Sequence, residues 1–178
     1  MPIDHQPFIF AKETIRMKYR RLNNAELQDL EDEFVRFLAA HSIPVEDWQK
    51  YQEHQPDKVN EWIEKFSDFV FEKTLTGVDF LQLKQKNALR IIDVRSNPFQ
   101  MKGLQVIDNP HIDLTQNEKP DEWQAKLSTH GGKIQLISAE KALKESPNME
   151  KFKLMQQGFL ILKDASLYDT LADLQKGS

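Results

Sequence analysis

The hydrophobic period of this chain first changes near Val78, and that change constrains the fold more than any other feature. Before it, apolar residues recur at three- and four-residue spacing: Leu27, Leu30, Phe34, Phe37 and Leu38, then Trp48 and Tyr51, then Val59, Trp62, Ile63, Phe66, Phe69 and Val70. That spacing lines up one face of an α-helix. After it come short runs of Ile, Val and Leu bounded by turn residues, the mark of strands. An α+β fold is expected, with an N-terminal three-helix segment packed with a small sheet.

The punctuation supports these elements. Asn23-x-x-Glu26 has the form of a capping box and opens the first helix, which runs to about His41. Pro44 suits the first turn of a short second helix, Pro56 marks a break, and a third helix with a broad apolar face ends near Gly77. Strands are expected at 78–83, 89–95 and 101–108, then a helix from Pro120, a strand at 134–138, a helix from Ser146-Pro147, a strand at 159–163 and a terminal helix capped by Ser166-x-x-Asp169. The order after the first three helices is βββαβαβα. Helices between the later strands suggest a mixed sheet, backed by the third helix. Folding the second and third strands about Ser96-Asn97-Pro98-Phe99 pairs Asp93 with Lys102, Ile91 with Leu104 and Leu89 with Val106. Those six side chains then share one face, with Ile92, Val94, Met101 and Ile107 on the other.

Helical signals begin only after Leu22. Residues 1–16 are therefore expected to be an extension dispensable for folding, and residues 17–178 a single α+β domain with a helical half at 17–75 and a sheet half at 76–178. Phe8, Ile9 and Phe10 are the part of the extension able to add an edge strand or cover a groove.

Composition narrows the function classes. The 178 residues contain no cysteine, which excludes disulfides, thiolate catalysis and Cys-based zinc sites. No apolar run approaches a membrane span and no secretory signal is evident, so a cytoplasmic setting without membrane attachment is expected. Charge is uneven. Residues 1–22 carry five Lys/Arg against two Asp/Glu, residues 23–75 five against thirteen, and the remainder fourteen against thirteen. An acidic helical half disfavours nucleic acid and suits a protein partner with a basic surface.

Catalytic motifs are sparse. There is no Gly-x-Gly-x-x-Gly, phosphate loop, Gly-x-Ser-x-Gly or His-Glu-x-x-His, and six glycines leave little for a phosphate cradle. Neither a cofactor nor a metal site is expected. His111-Ile112-Asp113 could bring an imidazole and a carboxylate together, but a loop turn explains it more simply. In Met17-Lys18-Tyr19-Arg20-Arg21-Leu22, Arg20 and Arg21 could grip phosphates while Tyr19 stacks on a base. The preferred reading is structural: Tyr19 and Leu22 tuck against the first helix, and one arginine pairs with a carboxylate such as Asp68.

Two resemblances add to this. The order helix, three strands, helix, strand resembles the core of the PD-(D/E)xK metal-dependent nucleases. That resemblance would make Asp93 the metal-binding acid, Glu61 or Glu64 the helix acid, and Gln100-x-Lys102 a departed form of the third-strand motif. Gln100 stands where the second acid belongs, and a cross-strand Asp93–Lys102 ion pair is the simpler account. From Met17 onward the chain also resembles an uncharacterised family of small Bacteroidetes proteins. The resemblance rests on Met17-Lys18-Tyr19-Arg20-Arg21-Leu22, Glu33-Phe34-Val35-Arg36-Phe37-Leu38, Phe66-Ser67-Asp68 and Asn109-Pro110-His111-Ile112-Asp113-Leu114-Thr115. It implies a bacterial cytoplasmic setting and brings no catalytic residues. The expected function is a non-enzymatic protein-interaction domain, with a nuclease-like phosphodiesterase as the alternative.

Overall fold

The computed structural model describes residues 17–116 and 120–176, so the expectations for residues 1–16 lie outside the described residues. Among the described residues there are seven helices and five strands, an α+β fold, in two compact units that meet in sequence at Val70 and Phe71.

The helical unit contains α1 (Asn24–Asp29), α2 (Glu31–Ala40), α3 (Val45–His54) and the first part of α4 (Pro56–Thr76). The expected capping box is present: Asn23 Oδ1 accepts from the Glu26 amide at 3.0 Å, and Glu26 Oε2 accepts from the Asn23 amide at 2.8 Å. The single helix expected from Asn23 to His41 is instead two. Leu30, at φ −108° and ψ 22°, interrupts it, and Glu31, Asp32 and Glu33 fall in the first turn of α2, where the helix dipole favours acids. At its other end α2 closes with two reversed hydrogen bonds, Ser42 N–H to Ala39 O and Ile43 N–H to Leu38 O, both 3.0 Å. Ser42 takes the left-handed conformation, φ 58°, that this cap requires.

Aromatic rings fill the interior of this unit. Phe66 is fully buried, with ring centroids of Phe34 and Phe37 at 4.9 and 5.3 Å. Phe34 meets Trp48 edge-on at 5.2 Å and Phe37 lies 5.2 Å from Phe69. Such pairs add to the burial of large rings.

The sheet unit holds β1 (Phe80–Gln85), β2 (Ala88–Asp93), β3 (Phe99–Ile107), α5 (Pro120–His130), β4 (Lys133–Lys141), α6 (Pro147–Gln156), β5 (Leu160–Leu162) and α7 (Ser166–Lys176). The sheet order is β4-β3-β2-β1-β5, and every pairing is antiparallel. The expected mixed sheet is thereby corrected. A helix joins β3 to β4 and another joins β4 to β5, but each carries the chain to a sheet edge in the antiparallel sense.

The β2–β3 hairpin is also corrected in register. Asp93 pairs with Gln100, Ile91 with Lys102 and Leu89 with Leu104, two residues from the expected alignment. A shift of two preserves the faces. Leu89, Ile91, Leu104 and Val106 accordingly share a core with Phe80, Ile112, Leu114 and Leu171, flanked by Trp123 and Leu127 of α5. Ile92, Val94, Phe99, Leu81 and Leu154 of α6 form the core on the opposite face. Neither core contains a residue of α4, so α5 and α7 back one face and α6 backs the other, rather than the third helix expected. Mid-strand Gly103 reflects close backbone approach: a methyl there would stand 2.4 Å from Leu89 O.

Two buried charges in α6 hold chain ends in place. Lys151 Nζ donates to Leu75 O at 2.9 Å and Val78 O at 2.8 Å, satisfying carbonyls where α4 ends. Glu150 pairs with Lys141 at 2.9 Å and accepts from the amides of Lys144 and Glu145. At one sheet edge β5 is only three residues long and exposes Leu160 and Ile161.

Candidate functional site

The opening basic-aromatic hexamer is strapped onto α4. Asp68 accepts from the backbone amides of Lys18 at 2.7 Å and Tyr19 at 2.9 Å. Its partners are thus amides rather than the arginine expected. Ser67, fully buried one residue earlier, accepts from the Leu22 amide at 3.0 Å and donates to Ile63 O at 2.7 Å. Tyr19 and Leu22 are buried, with their amides bonded to Asp68 and Ser67 of α4, where the expected anchor was the first helix. Arg20 forms a two-pronged pair with Glu26 at 2.8 and 2.6 Å. That hydrogen bonding, followed by the Asn23 amide, pulls the Glu26 carboxyl down to about 2. Arg21 is exposed and donates to Asn60 Oδ1 at 3.0 Å. The three residues expected to bind a partner therefore have separate tasks: a core ring, a capping ion pair and an exposed cation.

An apolar groove of about 510 Å³ opens on the helical unit. Val35, Leu38 and Ala39 of α2 form one wall, Val45 and Trp48 of α3 the other, and Ser42, Ile43 and Pro44 the floor between them. The sequence dictates this local shape. The Ser42 cap turns the chain sharply, and Pro44, extended at ψ 161°, starts α3 at once. Val35 and Val45 are 53% and 62% exposed, too much for core residues. Acids surround them. Glu31 and Asp32 lie one turn before Val35 on α2, at the spacing that brings side chains together, and Glu46 follows Val45. None of these three acids makes an ion pair among the described residues. Residues 23–55 hold eight Asp/Glu against two Lys/Arg.

The metal-site candidates lie elsewhere. Asp93 and Lys102 do share a sheet face, yet Lys102 stands across from Ile91, so the expected opposed ion pair is replaced. Asp93 is held instead by Arg95, whose Nε and Nη2 donate at 2.9 and 2.7 Å and whose amide donates at 3.0 Å. The Arg95 side chain is the main cause of the Asp93 carboxyl lying below its usual range. Arg95 also covers the Phe80 ring at 4.6 Å. Gln100 Nε2 donates to Glu140 at 3.1 Å. Glu64 is a half-buried residue of α4 in the helical unit, and Glu61 is engaged by Lys65 at 2.8 Å. Among the described residues no three His, Asp or Glu side chains converge as metal ligands would.

Near His111 the motif proves structural. Asn109 donates to Gly131 O at 2.7 Å and Lys126 O at 3.2 Å, tying down the end of α5, and accepts from the His111 amide. Asp113 turns the loop through Thr115, while His111 stacks on His130 at 3.9 Å between centroids.

A family model described as a family of unknown function, DUF6495, matches residues 17–176. The chain belongs to that DUF6495 family. No curated protein matches the chain, and no solved structure does. The DUF6495 match agrees with the resemblance to an uncharacterised family and assigns no activity. No helix among the described residues is long and apolar enough to cross a membrane.

Sequence reasoning missed the groove. Its signal was Val35, which stands off the stripe formed by Phe34, Phe37 and Leu38, and Val45, which extends the Trp48–Tyr51 spacing back to Pro44. An aliphatic residue off the stripe on an otherwise acidic helix is the trace such a surface leaves.

Proposed function

We propose that this protein is a bacterial cytosolic protein-interaction module without catalytic activity, and that its α2–α3 groove receives a basic amphipathic helix from another protein. The observation that carries the reading is the groove itself: two exposed valines over an apolar floor, beside Glu31 and Asp32, which make no ion pair among the described residues, and Glu46, whose charge is shared only with Lys50 one turn on. A helix with apolar residues at three- and four-residue spacing would fill the trough. Lysines and arginines flanking that stripe would meet Glu31, Asp32 and Glu46, which sets orientation and speeds encounter.

The phosphodiesterase alternative has no comparable support, because Asp93 is already occupied by Arg95.

A displayed library of helical peptides with basic, neutral and acidic flanks tests the proposal against the full-length protein. Enrichment of basic amphipathic sequences is expected, with binding that weakens as salt rises and disappears in the Val35→Glu/Val45→Glu variant. Enrichment indifferent to flank charge, or peptides that bind the variant equally well, would overturn it.

A further inference from the structure

The sheet unit has a second apolar space, of about 640 Å³, between one face of the sheet and helices α5 and α7. That volume lies in the range of small-molecule sites, roughly 300–1,000 Å³. The side chains lining it divide by depth. Leu89, Leu104, Leu114 and Leu171 are buried. Lys84, Gln116, Gln124 and Thr170 are exposed. The polar lining is therefore a rim that water already satisfies, and the interior is aliphatic. Water gains little there, because it finds none of the polar partners that hold a buried water in place.

Strand register and helix period set the shape. Leu89 of β2 pairs with Leu104 of β3, and Leu104 with Leu136 of β4. Residues in register across antiparallel strands leave the same face of the sheet, so the three leucines form a straight row. With strands about 4.8 Å apart, the row runs roughly 10 Å. Lys84 of β1, paired with Leu89, continues it to the rim. Above it, Leu167, Leu171 and Leu174 recur on α7 at the spacing that lines up one helix face, and all three line the space. A row below and a stripe above make a slot, which suits a narrow, flexible apolar body better than a bulky ring.

We propose that this slot binds the hydrocarbon chain of a single-chain lipid, laid across β2, β3 and β4 beneath α7, with the headgroup outside the rim. Selection is by the chain. Among the described residues no carboxylate lines the slot, and its one cation, Lys84, is open to water, where an ion pair is worth little. The slot lies within the sheet unit and is independent of the groove proposed above for a protein partner.

The test is to titrate n-octanol, n-decanol and n-dodecanol into the full-length protein, followed by calorimetry and by methyl spectra. One alcohol per chain is expected, with ligand-to-protein Overhauser effects at the methyls of Leu89, Leu104 and Leu136. Affinity should rise about fourfold with each added methylene. Laurate should bind within about fivefold of dodecanol, because the rim adds at most an exposed ion pair. Cyclododecanol, with the same number of carbons closed into a ring, should bind about tenfold more weakly than dodecanol. Leu104→Trp should block the slot. Absence of saturable binding would overturn the proposal, as would Overhauser effects confined to other residues or cyclododecanol matching dodecanol. Those three outcomes are read on the unaltered protein, whatever the folding of the variant.

Discussion

The helical and sheet units bury their aromatic and aliphatic residues in opposite ways. In the helical unit, contacts among Phe34, Phe37, Trp48 and Phe66 are made between neighbouring helices and leave an open groove at the surface. In the sheet unit, strands bury both faces, and the uncommitted apolar space lies under α5 and α7. Helices packed by a few rings expose what falls off the stripe, whereas a covered sheet hides it. One unit therefore offers an apolar surface and the other an apolar interior.

The sharpest way to break this contrast is at Phe66. Phe66→Ala should cost about 3–5 kcal/mol, the range for emptying a buried aromatic site. Hydrogen exchange should show protection lost first in α2 and the first turns of α4. Equal early loss in β2 and β3 would mean that the ring cluster is not specific to the helical unit.

Lys151 is the corresponding point in the sheet unit. Lys151→Met keeps the apolar stem and removes the donor to Leu75 O and Val78 O. A destabilisation of about 2 kcal/mol is expected, since hydrogen bonds to charged groups are worth about 1.5–3 kcal/mol and relief of the buried charge offsets part of it. Denaturant melts with an unchanged midpoint would remove Lys151 from the account.

The strap on α4 should matter less. Asp68→Ala leaves the Lys18 and Tyr19 amides without their acceptor, and about 1–2 kcal/mol is expected because one of the two is open to water. Ser67→Ala provides the comparison, acting on Leu22 alone.

Acid titration sharpens the same contrast. Glu26 in the helical unit and Glu150 in the sheet unit both have carboxyl pKa values below the ordinary value of about 4.3. Arg20 is the first cause for Glu26, and the Lys141 hydrogen bond for Glu150. A depressed carboxyl stabilises the fold fully above its unfolded value. The contribution drains away as pH falls toward the folded value, about 2 for Glu26. Glu150→Gln should flatten the loss of stability below about pH 4.5. Glu26→Gln should flatten it too, over a range that reaches down toward pH 2. An acid limb unchanged in either variant would contradict the assignment. The smallest effect is a gain: Ser42→Gly should stabilise by about 0.5–1 kcal/mol by relieving the positive φ, read as a small rise in melting temperature.

What was legible in the sequence was local. The Asn23–Glu26 box, the proline helix starts and the sharing of faces by Leu89, Ile91, Leu104 and Val106 follow from short-range sterics and a period of two. Strand direction was not legible, because a helix can link parallel neighbours or carry the chain to a distant antiparallel edge. Register failed at the hairpin turn for a specific reason. The hairpin closes two residues tighter than expected, pairing Asp93 with Gln100, and Arg95 takes the carboxylate that an ion pair with Lys102 would have used. Asp68 was found as a buried-face carboxylate, but its amide partners could not be read, since backbone donors leave no mark in residue identity. The groove escaped because a surface hollow depends on the Ser42 turn, where a non-glycine residue hides the cap.

The sheet edges bear on solubility. An unpaired strand edge is a template for aggregation, and among the described residues this sheet has two. β5 is blunted by brevity: three residues, preceded by Gly158 at φ 95° and followed by the Asp164–Ser166 turn, give an incoming strand little to zip onto despite exposed Leu160 and Ile161. β4 is nine residues long and needs another defence. Lysines stand at both ends, and Gln175 of α7 reaches over to occupy Ile137 O at 2.8 Å. Lengthening β5 by redesign would turn its two exposed aliphatics from a tolerable patch into a seed for fibrils.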